Sequence, residues 1–495
     1  MSRGRIAAAL FWVAVAGVVV AHTVVAFDSV FDKRLWEDEA FNLTVPRNLL
    51  AGLGYSSDGT LSGSTLTPWD VRISTGPTAL LPIAAVMALG ADPVIGGRAV
   101  MLAFWALLLA ALFLLGRRVG GRWAGLVAIA ATLALDASRS DSPLQGPADI
   151  LGEVPAAALI AWALVVLPRR AWLAGLLLGL AIQAKLIALL ALPAFFVWLL
   201  LSVPGSAPQR VLGAFRRGWP ALAAMIAPTV VYEVFAAADP RMGYLTHLRQ
   251  LRHFVLSGGQ TYQGTTVADK ARTLLDAWWL PSTVVATLVI AAIAIAALAV
   301  WAHRDWARRT PHDPAVDGGD RTALLAAAAV GLLAFAGWWA ASSHTPLWVR
   351  HPAPGLLAFT PVLSAGIVPA LRVLIDSGRS LPRAIGAIGA VVAVLAISAQ
   401  VGLHAAAAAP VEAALTAQRA DAAAISAAID AHDVRLDDGY LVSEPWGAPV
   451  AIVFLTGHHV GLWDARGRGD DLRVTARECE RVVFQGARFR LCDPE

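Results

Sequence analysis

A chain of 495 residues that is 57% hydrophobic and only 15% charged, with a mean hydropathy of +0.63, is too apolar for a soluble protein of this length. Most of it is expected to lie in a bilayer as a polytopic membrane protein. A formal charge of +4 does not point to nucleic acid as a partner, because excess arginine is what the cytoplasmic loops of multispanning proteins carry.

MSRGR at the start is followed by an apolar run over residues 6–27. At about 22 residues, roughly 33 Å as a helix, it suits a retained span better than the short core of a signal peptide. Further apolar runs occupy residues 94–115, 123–135, 150–167, 172–184, 186–203, 219–237, 280–301, 323–341, 353–375 and 384–404, for about eleven expected spans. Residues 78–90 are short for a crossing and contain Pro82, so they predict a helix lying in the outer interface.

With that choice, Arg3/Arg5, Arg117/Arg118/Arg122, Arg169/Arg170, Arg210/Arg216/Arg217, Arg304/Arg308/Arg309 and Arg372/Arg379/Arg383 all fall on one side. The positive-inside rule makes that side the cytoplasm and puts the N-terminus there. The expected architecture is therefore all-α and polytopic over residues 1–404, with an extracytoplasmic segment over 405–495. That segment reads as a small α/β domain: a helix over 411–432, then strand, helix and strand in GYLVSE, AIVFLT and HHVGLW. The only two cysteines, Cys479 and Cys492, fall within it, a pair suited to a disulfide in an oxidising compartment.

Carboxylates are costly inside a bilayer, so where they gather is informative. The first external loop holds Asp28, Asp32, Glu37, Asp38, Glu39, Asp58 and Asp70, and the second holds Asp141, Asp149 and Glu153. Glu233 and Asp239 mark a third exit, and SSHTPLWVRHP offers His344, Arg350 and His351. His344 and His351 do not have a standard metal-ligand spacing. Lys185 sits at the expected outer tip of a helical hairpin. Ionisable groups are nearly absent at mid-depth, which disfavours a transporter or lipid flippase, the main rival reading, and favours chemistry at the outer surface. A carboxylate there can deprotonate a hydroxyl or help hold a divalent metal, and cations can hold a phosphate as it leaves. Asp38 and Glu39 are candidates for the first role, and Lys185, Arg98 and Arg350 for the second. Each has a plainer alternative: a solvated loop, a snorkelling arginine or an interfacial anchor. Trp278-Trp279 or Trp338-Trp339 could line a sugar pocket, or could anchor helices at the interface.

The order WEDEAF, RNLLAGLGY, TGPTALLPIAAVMALG, GGRAVMLAFWALL, LGRRVGGRWAG, GPADILGE and GLAIQAK resembles the C-fold membrane glycosyltransferases that use polyprenyl-phosphate sugars, in particular the protein O-mannosyltransferase and aminoarabinose-transferase group. The resemblance covers about the first 200 residues. It implies an inverting transfer, metal-influenced or metal-dependent, from a polyprenyl-phosphate sugar to an extracytoplasmic glycan, lipid or protein, in a multi-pass plasma (inner) membrane protein. By that likeness Asp38 is the general base or a metal-associated carboxylate, with Glu39 and Asp149 beside it, and Lys185 and Arg98 contact the phosphate. Two departures stand out: Glu37 precedes the acidic pair, and Asp149 and Glu153 compete in the second loop.

Overall fold

The computed structural model describes residues 3–59, 63–135, 146–257, 266–277, 318–342, 350–376, 380–407, 414–431, 436–444, 447–465 and 467–493. The expected span 280–301, Trp278-Trp279, Asp141 and His344 lie outside these residues. Helix α1 (Arg3–Phe27) runs into a π-helical turn, Asp28–Asp32, and α2 (Glu37–Leu50), the paired short strands β1 (Ser56–Ser57) and β2 (Thr67–Pro68), and α3 (Pro77–Ala88) follow in the first loop. The bundle continues through α4 (Pro93–Gly120), α5 (Arg122–Leu135), α6 (Glu153–Val166) and α7 (Ala171–Ala184), then a 3-10 stretch, Leu186–Ala191, leads into α8 (Leu192–Ser202). The long α9 (Ala207–Ala238) is followed by α10 (Tyr244–Ser257) and α11 (Val267–Ala277), and then by α12 (Gly318–Ala341), α13 (Ala353–Ala365), α14 (Ile367–Ile375) and α15 (Ser380–Ala407).

Among the described residues, five helices are long and apolar enough to cross a membrane: Ala8–Asp32, Pro93–Gly120, Ala207–Ala238, Asp320–Ala341 and Ala353–Ile375. The chain is thus an integral membrane protein by composition and helix length, but the expected count of eleven is not reproduced. The helices at α5, α6 and α7 have only 14 residues each, roughly 21 Å against a hydrocarbon core of about 30 Å. Helix α6 is packed in protein: each of its residues from Glu153 to Ala161 is buried. On α7, backbones approach closely. At Gly175 a Cβ would run into the Ala221 carbonyl of α9, the small-residue contact usual between membrane helices. The 12-residue α3 spans only about 18 Å, in keeping with a helix that does not cross.

Helix α4 defines the two ends of the bundle. Arg118 near its end pairs with Asp320 at the start of α12 at 2.9 Å. Arg98 lies 20 residues earlier, about 30 Å up the helix, among the loops of the opposite face. Returning through α12, the chain comes back to that face, where Lys270 of α11 donates to the carbonyls of Trp339, Ala340 and Ser342 and so caps the helix end.

The C-terminal segment contains α16 (Leu415–Ala431), β3 (Tyr440–Ser443), α17 (Ala448–Leu455) and β4 (His459–Leu462), near the expected positions, and also β5 (Arg473–Thr475), β6 (Val482–Gln485) and β7 (Arg490–Cys492). The sheet order is β4-β3-β5-β7-β6, with β3 parallel to β4 and β5 and β7 antiparallel to β5 and β6. Cys479 and Cys492 are disulfide-bonded, with Cα atoms 6.3 Å apart. This segment does not build its core alone. Leu415, Ile425, Leu441, Val453 and Val460 share one buried cluster with Leu35, Phe41 and Leu43 of the first loop and with Leu80 and Ile83 of α3.

Candidate functional site

The three consecutive carboxylates form the first turn of α2, where the helix dipole favours negative charge. Trp36 before them is extended, and its N–H donates to Glu39 Oε2 at 3.0 Å, which fixes the start of the helix. Successive helical residues are turned by about 100°, so the three side chains meet three different surroundings. Glu37 is buried, with Arg34 at 3.8 Å, and burial raises its pKa above the ordinary range. Asp38 is ion-paired with Arg350, and at 15% side-chain exposure it stays open to the surface. The Arg350 guanidinium also lies 4.8 Å from the Trp36 ring, a cation–π contact.

Glu39 is fully buried against Arg98, with Oε1 to Nε at 3.1 Å and Oε2 to Nη2 at 2.9 Å. Burial by itself would raise the Glu39 pKa, but the charge and hydrogen bonds of Arg98 reverse this and leave it below its ordinary value. The other three N–H groups of Arg98 go to the carbonyls of Val30 (3.3 Å), Lys33 (2.8 Å) and Arg34 (2.8 Å). All five donors of the guanidinium are thereby engaged in holding residues 30–39.

The second acidic loop docks on the same turn. Asp149 accepts Lys33 Nζ at 2.9 Å on both oxygens and the Gly146 N–H at 3.0 Å. The Ile150 N–H donates to Glu39 Oε1 at 3.2 Å. Asn42 Nδ2 donates to the Ile150 carbonyl at 2.7 Å and to Thr75 Oγ1 at 3.0 Å, and Thr75 also accepts the Gly152 N–H at 3.1 Å. Next to Thr75, Ser74 Oγ accepts Lys185 Nζ at 2.9 Å, and Glu153 Oε1 lies 2.9 Å from the same ammonium. Gly76 has no room for a Cβ, which would strike the Gln183 carbonyl. This bare backbone lets residues 74–76 lie against the end of α7. A continuous polar network therefore links Glu39 to Lys185 through Ile150, Asn42, Thr75 and Ser74.

The structure thus brings Asp38, Glu39, Arg98, Arg350, Asp149, Glu153 and Lys185 to one end of the bundle. Sequence reasoning missed Lys33, Asn42, Ser74 and Thr75. Asn42 is 5% exposed and bonded internally. The expected metal pair is not preassembled: Asp38 faces Arg350 and Asp149 faces Lys33. Among the described residues no three His, Cys, Asp or Glu converge as a cation site. Of Trp338-Trp339, the Trp338 ring lies tilted to that of His351 with centroids 6.4 Å apart, and Trp339 is 2% exposed.

No family model matches the sequence, and no curated protein matches it significantly. Solved structures do match in three dimensions. ArnT from Cupriavidus metallidurans in the apo state aligns over 98% of this chain and 98% of its own, with a TM-score of 0.54 and 15% identity. The same protein bound to undecaprenyl phosphate aligns over 97% of each chain, with a TM-score of 0.52 and 14% identity. The chain has the C-type membrane glycosyltransferase fold. The archaeal oligosaccharyltransferase AglB from Archaeoglobus fulgidus, in complex with an inhibitory peptide and a dolichol-phosphate, matches over 94% of this chain and 69% of its own, at a TM-score of 0.52 and 13% identity. In this C-type fold the first loop, the second acidic loop and the C-terminal segment together cover one end of the helical bundle.

Proposed function

We propose that the protein is a glycosyltransferase that moves a sugar from a polyprenyl-phosphate donor to an extracytoplasmic glycan, lipid or protein, with inversion at the anomeric carbon. In this reading it lies in the plasma (inner) membrane with its N-terminus in the cytoplasm. The structural neighbours support the donor class, since their structures hold undecaprenyl phosphate and dolichol-phosphate.

The observation that carries the reading is the Asp38–Arg350 pair, which joins the first turn of α2 to the segment leading into α13 and keeps both side chains partly exposed, at 15% and 14%. A phosphate entering there competes for Arg350 and leaves Asp38 free to act as base. Asp38 takes the proton of the acceptor hydroxyl, whose oxygen attacks the anomeric carbon. The bond from that carbon to the phosphate oxygen breaks, and the polyprenyl phosphate leaves with the electron pair, held by Arg350 and Lys185. Arg98, whose donors are all engaged, is assigned to positioning Glu39 and residues 30–39 rather than to phosphate. Asp149 serves through Lys33. As folded, the donor set does not fit a bound divalent cation, and no step is derived through one.

Transfer from a radiolabelled polyprenyl-phosphate sugar tests this. Asp38→Asn is expected to slow transfer by about 10²–10⁴-fold while the protein folds as wild type. Undiminished transfer in that variant would remove Asp38 from the chemistry.

A further inference from the structure

The C-terminal segment takes hold of α2 at both ends. At the entry, Gln418 of α16 pairs with the backbone of Leu35 on both sides: its Oε1 accepts the Leu35 N–H at 2.6 Å and its Nε2 donates to the Leu35 carbonyl at 3.0 Å. Leu35 is 0% and Gln418 1% exposed, so neither partner can turn to water instead. Leu35 stands three residues before Asp38. At the exit, the Asp58 carboxylate accepts from Arg47 at 2.6 Å and Asn48 at 2.8 Å, both on α2, and from the Val460 N–H at 2.7 Å. His459 Nδ1 lies 2.9 Å from the same carboxylate. Arg47 also donates to the His458 carbonyl at 2.8 Å.

The side chain of Gln418 is of a kind that the packing alone would not select. A buried amide on a helix face that otherwise presents Leu415, Ala422 and Ile425 contributes only where both its oxygen and its nitrogen find partners, and here a single residue supplies both.

We infer that the C-terminal domain is the clamp that sets the position of Asp38, with Gln418 as a positioning residue; this rests on the proposed role of Asp38. The domain acts through the backbone of the residues that lead into α2. A fraction of an ångström at Leu35 is carried into the first turn, and misplacing a reacting group by about 1 Å can cost about 10²-fold in rate.

The test uses the full-length protein in nanodiscs. Gln418→Ala removes both hydrogen bonds and is expected to lower kcat by about 10- to 100-fold, to leave KM for the lipid donor unchanged, and to speed hydrogen exchange at the amides of residues 35–40. Because Gln418 acts through Asp38, adding Gln418→Ala to Asp38→Asn slows transfer no further. Arg419→Ala, one residue along α16 and paired with Asp92 at 2.7 Å on the surface, leaves both readouts as in wild type. Should Gln418→Ala lower the yield of folded protein, Gln418→Met fills the space and carries the same expectations. Unchanged exchange at residues 35–40 overturns the clamp whether or not the protein transfers sugar. Equal losses in the Gln418 and Arg419 variants, or a loss that multiplies that of Asp38→Asn, overturn it as well. Faster exchange in a protein whose wild type transfers nothing upholds the clamp and refutes the proposed reaction alone.

Discussion

Replacing Arg98 with Met removes a guanidinium whose five N–H groups serve one carboxylate and three carbonyls. The Glu39 carboxylate, 0% exposed, is then buried without its counter-charge, which costs about 3–5 kcal/mol. The carbonyls of Val30, Lys33 and Arg34 each lose a donor, at about 1 kcal/mol apiece. The single mutant is thus destabilised by about 6–8 kcal/mol, a large share of an ordinary folding free energy. Adding Glu39→Gln removes the stranded charge but not the three stranded carbonyls, so the double mutant recovers only the charge part. The coupling energy of the cycle is expected at about 3–5 kcal/mol. Denaturant unfolding in mixed micelles, followed by tryptophan fluorescence, measures it, with donor KM determined on the same preparations. A coupling below about 0.5 kcal/mol, or an Arg98→Met protein as stable as wild type with a raised donor KM, refutes the positioning role and returns Arg98 to the phosphate.

Two further outcomes follow from the same geometry. Burial raises the Glu37 pKa, so its ionisation opposes folding: the penalty is absent below the ordinary value of about 4.3 and grows as pH rises toward and through the raised value. Glu37→Gln is therefore expected to raise the unfolding midpoint at neutral pH and to leave it unchanged in acid, at about pH 4; an equal rise at both, in thermal melts, would contradict this. The disulfide between Cys479 and Cys492 closes a short loop, with a sequence separation of 13, for which chain entropy predicts about 3 kcal/mol. Cys492→Ser, or reductant, should speed proteolysis of the C-terminal domain before that of the bundle, and simultaneous cleavage of both would count against a local effect.

Hydropathy located the helices well because an apolar run of sufficient length signals a buried helix whatever its neighbours are. It could not say whether those neighbours are lipid or protein; the burial of α6 among other helices is a property of the fold. Of the motif RNLLAGLGY only the first four residues are helical: α2 begins at Glu37 and ends at Leu50, just before Gly52 and Gly54 take positive φ. Strands β5 to β7 have three or four residues each, too few for a period-2 pattern to stand out.

At the site, the acidic residues were legible because charge is rare in such a chain. Their partners were not. Nothing in the sequence around Lys33 says that it meets Asp149, and Thr75 is a neutral residue whose importance comes only from the two donors that converge on it. The role of Arg98 turned on its number of acceptors, which no sequence pattern records.

The bonds between Leu35 and Gln418 and between Asp58 and His459 join residues 383 and 401 positions apart. The helix carrying Asp38 is made long before the groups that hold it in place. During translation that helix waits with its partners unmade, and its surroundings are completed only when the segment bearing Gln418 and His459 has been made and folded. Contacts of such long sequence separation form slowly, so the newly made protein passes through a period in which its bundle is assembled and its surface site is not. A ribosome that stops before these residues releases a chain that lacks the clamp, and this order of assembly couples competence to their synthesis.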